Sequence, residues 1–185
     1  MFGDTVYTGV PNLVLAADMG GFQEKWNVSD VGAWFIDDDN YAPGTTLSYA
    51  EVCFLKAEAA LKGWGGGDPE TQYNNGVRAN MNRLGITPTA IDSFLNGAGQ
   101  YAGTLEQIIT QKWLTFVYQD AYEAFAEYRR TGFPVLTNFD GTPVDPATVP
   151  QRLPYPLSEV SLNGTNVQAV GHGINEKTTK VWWAK

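Results

Sequence analysis

The sequence predicts an all-α fold, an irregular helical array that gives way to a long loop-rich carboxy-terminal tail. Two observations carry this. Four helix-start signals, each a side chain able to cap a helix, fall between Ser48 and Gln107. Beyond Gly132, prolines at 134, 143, 146, 150, 154 and 156 remove backbone donors and leave no expectation of long helices. The chain is read as one domain of three stretches: a loop-rich lead over 1–47, a helical core over 48–130 and an irregular tail over 131–185.

The lead is rich in Gly, Pro, Asn and Asp and shows no sustained period, with Trp26, Trp34 and Phe35 as its anchors. The first helix starts at Ser48, with Glu51 completing a capping box, and stops at Gly63. Val52, Leu55, Ala59 and Leu61 are its expected apolar residues, several small alanines allow a neighbour to approach closely, and Glu58 and Lys62 make a favourable i,i+4 pair. Asp68-Pro69 opens the second helix, whose stripe is Tyr73, Val77 and Met81 and whose end is near Gly85. Thr87-Pro88 opens a short third helix carrying Ile91, Phe94 and Leu95. Thr104 and Gln107 box a fourth, expected to run to about Arg130 with a broad apolar surface from Leu105 through Phe125. The first two helices, joined by a short turn, make a hairpin. The small residues Ala57 and Ala60, then Tyr73 and Gly76, give it a loose likeness to a tetratricopeptide repeat, without that signature's leading Trp and Leu-Gly. In the tail, Trp182-Trp183 is the expected pin.

Composition narrows the function. With 185 residues and 43% apolar content, the chain can build a core without staples. A net charge of -8 and no basic patch argue against nucleic acid as a partner, because displacing phosphate counterions needs a basic surface. Cys53 is the only cysteine, which excludes an internal disulfide, and its apolar neighbours make it a buried small hydrophobe. The amino terminus has neither a basic segment nor a following apolar run, so no signal peptide is visible, and no eighteen apolar residues run together.

Chemistry-bearing motifs are sparse. Gly63-Trp64-Gly65-Gly66-Gly67 follows a helix and ends at Asp68, whereas a phosphate loop follows a strand and ends in Gly-Lys-Ser/Thr; it reads as an inter-helix turn. Asp37-Asp38-Asp39 fails the calcium-loop pattern, with Ala42 at the glycine position. The single His172 excludes a multi-histidine metal site, no Gly-x-Ser-x-Gly elbow occurs, and neither metal nor cofactor is expected. Asp120, Glu123 and Glu127 share one helix, while glycosidases place two carboxyl groups on opposite sides of the scissile bond. They are better read as surface charges or as partners of Arg129 and Arg130.

The remaining feature is six Trp, nine Tyr and nine Phe. Sugar rings present apolar faces that stack on flat side chains. Trp34 in the lead, Trp64 in the glycine turn and Tyr101 between glycines are the aromatics least explained as core and the candidate ligand contacts, although core packing also accounts for each.

Several stretches then resemble one family. Leu47-Ser48-Tyr49-Ala50-Glu51-Val52-Cys53-Phe54-Leu55-Lys56-Ala57-Glu58-Ala59 resembles a helix of the SusD/RagB family. So do Tyr73-Asn74-Asn75-Gly76-Val77-Arg78, Ile108-Ile109-Thr110-Gln111-Lys112-Trp113 and Glu123-Ala124-Phe125-Ala126-Glu127-Tyr128-Arg129-Arg130-Thr131-Gly132-Phe133-Pro134. Further on, Arg152-Leu153-Pro154-Tyr155-Pro156, Glu159, Asn163, Asn166 and Val181-Trp182-Trp183 agree in order and spacing. The resemblance implies a mostly helical, non-catalytic protein that binds oligosaccharide or polysaccharide, in some members peptide. It implies an outer-membrane lipoprotein, held on the external face by an amino-terminal lipid anchor outside this chain, beside a SusC-like TonB-dependent transporter. It also implies that Glu51, Glu58, Arg78, Arg129 and Arg130 tie helices together through ion pairs. Family members are commonly several hundred residues long, so the chain is similar to their carboxy-terminal portion. An alternative makes it a helical scaffold contacting the transporter, with the ligand site in the amino-terminal half.

Overall fold

The computed structural model describes residues 45–138, 141–170 and 177–181. The chain divides after Pro134 into two compact units. Among the described residues the regular structure is helical, and the only β pairing is an isolated bridge between Thr137 and Pro143.

The first unit contains α1 (Tyr49–Leu61), α2 (Pro69–Arg83), α3 (Pro88–Leu95), α4 (Leu105–Thr115) and α5 (Ala121–Thr131). The first four begin as the sequence expects. Ser48 accepts from the Glu51 N–H at 3.0 Å, Asp68 from Thr71 at 2.8 Å, Thr87 from Ala90 at 3.4 Å and Thr104 from Gln107 at 3.2 Å. Each bond satisfies a donor that the first helical turn would otherwise leave unpaired. Glycine closes α1 in a Schellman motif. Gly63, at φ 72°, donates to the Ala60 carbonyl, and Trp64 donates to that of Ala59. The end of α2 repeats the motif with Gly85 and Ile86.

α1 and α2 form a closely packed hairpin, with α4 against both, α3 on α2 and α5 on α4. The core joins Ala50, Phe54 and Ala57 of α1 to Tyr73 and Val77 of α2, Ile91 and Leu95 of α3, and Ile108 of α4. Phe54 meets Tyr73 edge-on with ring centroids 6.1 Å apart. Gly76 permits this approach, since a Cβ there would lie 2.7 Å from the Phe54 ring. The buried Tyr73 hydroxyl donates to the Gly99 carbonyl at 3.0 Å, and burial pushes its pKa up to about 12. Cys53 is a free, buried thiol in α1.

Three local expectations are corrected. The buried face of α1 is Ala50, Cys53, Phe54, Ala57 and Glu58, while Leu55 points outward. This stripe keeps the i, i+3, i+4, i+7 spacing of one helix face, but around Phe54 it is built from small residues and a carboxylate. The expected fourth helix is two helices. It ends at Thr115, Tyr118 takes φ 58°, and Asp120 starts α5 by accepting from the Glu123 N–H at 3.0 Å. Asp120 is therefore a cap and not a mid-helix surface charge.

The third correction lies in the second unit, where α6 (Leu157–Ala169) occupies the stretch from which long helices had been excluded. No proline follows Pro156, so no missing backbone donor bars a helix in that stretch. It is imperfect: Asn163, at φ -135°, breaks the helical geometry and donates to Glu159 at 2.6 Å. Ahead of it lie the bridge and a 3-10 turn over Pro146–Thr148, capped by Asp145. The expected pin, Trp182-Trp183, lies outside the described residues.

Candidate functional site: an aromatic on a glycine turn and the charges behind it

The α1–α2 turn carries the most exposed tryptophan among the described residues. Trp64 is 75% exposed, and Gly63, Gly65, Gly66 and Gly67 around it all have positive φ. Such a conformation is cheap only for glycine. Gly66 is doubly required, because a Cβ there would lie 2.5 Å from the Lys56 carbonyl oxygen. The turn thus folds back on α1, and the Schellman bond fixes the Trp64 backbone while its ring stands in solvent. The Lys62 ammonium lies 4.8 Å from the ring centroid, within cation–π range.

Lys62 is the outer end of a charge network that runs inward. Its ammonium bonds Glu58 at 2.6 Å. Glu58 is buried and accepts both terminal nitrogens of Arg130, at 2.7 and 2.8 Å. This fork binds α1 to α5 across 72 residues of sequence. Arg130 also bonds Glu127, and Glu127 meets the buried Lys112 ammonium of α4 at 3.3 Å. Burial alone would raise the Glu58 carboxyl, but hydrogen bonds from Arg130 and Lys62 outweigh it and hold the group below its ordinary value. Bonding to Glu58 and Glu127 in turn raises the Arg130 guanidinium.

A polar cleft of about 150 Å³ lies at the other end of α1, lined by Ser48, Glu51, Arg83, Gln119, Asp120 and Glu123 among others. Burial, with the nearby Glu123 and Asp120 carboxylates adding to it and Lys112 opposing, pushes the Glu51 carboxyl upward. Arg83 donates to Asn80 and to the Thr115 carbonyl, each at 3.3 Å. Asp120, Glu123 and Glu127 all have structural partners. Asp120 caps α5, Glu123 lies 4.0 Å from Lys112, and Glu127 joins the network.

Of the candidate ligand contacts, Trp34 lies outside the described residues. Trp64 is exposed, and Tyr101 is half-buried with its ring 5.3 Å from that of Tyr73. Of the candidate ion-pair residues, Glu58 and Arg130 meet each other, Arg78 reaches Asp92 at 2.6 Å on the surface, Arg129 lies over the Phe125 ring, and Glu51 lines the cleft. Sequence reasoning gave no role to Lys112. Its signal was present, since Lys112 shares a helix face with Ile108 and Ile109, the face that packs inward. Asp37-Asp38-Asp39 and His172 lie outside the described residues. Among those described, no three His, Cys, Asp or Glu side chains are grouped to hold a metal ion. No described helix is long and apolar enough to cross a membrane.

The first unit is thus a helical array whose α1–α2 hairpin carries an exposed aromatic on its turn, braced by ion pairs to the buried Glu58 and Glu127. The chain belongs to the SusD-like family, whose model, described as "Starch-binding associating with outer membrane", matches residues 8–156. It is similar to a SusD homolog from Bacteroides fragilis at 30% identity and a TM-score of 0.78, covering 97% of this chain and 44% of that one. A second SusD homolog from the same species matches at 29% identity and a TM-score of 0.75, over 97% of this chain and 43% of that one. A chitin-binding protein matches at 34% identity and a TM-score of 0.60, over 74% of this chain and 32% of that one. The chain thus spans less than half the length of these solved structures. No curated protein matches it.

Proposed function

We propose that this chain takes part in capturing a glycan at the outer-membrane surface and releasing it, unaltered, to a TonB-dependent transporter. The observation that carries the reading is Trp64, a tryptophan held in solvent on a turn whose backbone is fixed. A large apolar ring left exposed forfeits the gain of burial unless something stacks on it, and the apolar face of a sugar ring is a fitting partner. The family description, which names starch binding and association with the outer membrane, and the likeness to a chitin-binding protein support the same class of cargo. Trp34 and Tyr101 are proposed as further contacts. An amino-terminal lipid anchor on the external face of the outer membrane is part of the same proposal, supported by the family description.

A second reading treats this part as scaffold, with the transporter against it and the ligand, glycan or peptide, held elsewhere. It is favoured by the exposed apolar side chains at the α4–α5 junction, where Leu114, Val117, Tyr118, Tyr122 and Phe125 lie close in sequence. Affinity electrophoresis in gels containing neutral or acidic polysaccharides separates the two. Capture by this chain predicts retardation by at least one polysaccharide, weakened about tenfold or more by Trp64→Ala. Retardation by none would remove the glycan reading for this chain and leave the scaffold.

A further inference from the structure

We propose that Lys62 is a positioning residue for Trp64, closing one face of the indole and presenting the other to the ligand. This rests on the glycan-binding reading of Trp64. The Schellman bond from Trp64 to Ala59 fixes the backbone but not the ring. The glycines on either side offer no wall, since a Cβ at Gly63 or Gly65 would meet nothing within 4 Å. An indole in such surroundings would sample several rotamers, and a ligand would have to select one of them. Ordering a side chain on binding opposes affinity, and pre-ordering removes that opposition.

Lys62 supplies the order because it is itself held. Its ammonium is bonded to Glu58 at 2.6 Å, and Glu58 is 4% exposed and gripped from its other side by Arg130. The line Arg130, Glu58, Lys62, Trp64 therefore transmits the rigidity of the α1–α5 contact to an exposed ring. The same arrangement sets the mode of recognition. With the ammonium over one face, Trp64 is a single-sided platform, suited to one sugar face of an extended chain and unsuited to sandwiching a ring between two aromatics.

The test uses the full chain labelled with 5-fluorotryptophan, the Trp64 fluorine resonance being assigned by its loss in Trp64→Phe. Lys62→Met keeps the aliphatic stem and removes the ammonium; Lys62→Arg keeps a cation. The expected result is a Trp64 resonance that moves in Lys62→Met, returns towards its original position in Lys62→Arg, and leaves the other tryptophan resonances in place. Retardation by the bound polysaccharide should weaken roughly two- to fivefold in Lys62→Met, and the same change should add nothing in a Trp64→Ala background. A Trp64 resonance indifferent to Lys62→Met, or a weakening that persists without Trp64, would overturn the proposal. A wild-type chain that no polysaccharide retards overturns the glycan reading, and the fluorine spectra decide the role of Lys62 independently.

Discussion

Replacing Tyr73 with alanine is expected to destabilise the first unit by about 4 kcal/mol, the range for removing a large buried aromatic. Tyr73 is fully buried at the centre of the α1–α2 hairpin. Its ring touches Phe54 from one helix and Tyr101 from the loop before α4, and its hydroxyl reaches the Gly99 carbonyl. One side chain thus joins three parts of the fold that are distant in sequence. Tyr73→Phe separates the contributions. It keeps the ring and leaves the Gly99 carbonyl without this donor, at an expected cost of about 1 kcal/mol. Urea unfolding followed by far-ultraviolet circular dichroism measures both. A Tyr73→Ala chain within 1 kcal/mol of the parent would mean that the hairpin is not organised around this ring.

Arg130→Leu is expected to cost about 1–2 kcal/mol, since it takes a partner from two buried carboxylates while the arginine itself is more than a third exposed and solvent moderates the penalty of breaking a buried pair. Glu58 would keep Lys62 and Glu127 would keep Lys112, which also limits the loss. Arg130→Lys should rescue little, since one ammonium cannot reproduce a fork that engages two carboxylates. The network also gives stability a direction with pH. The Glu58 carboxyl is held below its ordinary value of 4.5, so in the folded chain it releases its proton more readily than in the unfolded one. Its contribution is fully present above that ordinary value and is lost as pH falls through the depressed folded value. The stability difference between the parent and Arg130→Leu should therefore be full at neutral pH and shrink as the medium is acidified below the carboxylate range. A difference independent of pH would assign the loss to packing of the arginine stem.

The legible features were those encoded within a few residues. Ser48, Asp68, Thr87 and Thr104 cap their helices because each bond spans only three positions. The closing glycines at 63 and 85 are equally local. The features missed depend on partners far along the chain. The resemblance named Glu58 and Arg130 as ion-pair residues, but which carboxylate meets which cation across 72 residues, and that Lys112 is buried against Glu127, leave no local signal. Leu55 reads as core until the alanines beside it prove to be the contact face. The break at Tyr118 was written in the sequence, since Asp120 with Glu123 repeats the cap pattern used elsewhere, but a continuous apolar surface masked it. For the candidate site, the glycines mark Trp64 as unusual, whereas the contact of Tyr101 with Tyr73 is tertiary and leaves no local trace.

Capture without turnover is the central claim, and equilibrium dialysis tests it most directly. The chain would be dialysed against oligosaccharide fragments of the polysaccharide that retards it, and the bound sugar recovered and weighed by mass spectrometry. The account predicts saturable binding, strongly weakened in Trp64→Ala, and oligosaccharides of unchanged length after prolonged incubation. Shortened oligosaccharides, or binding indifferent to Trp64, would contradict it.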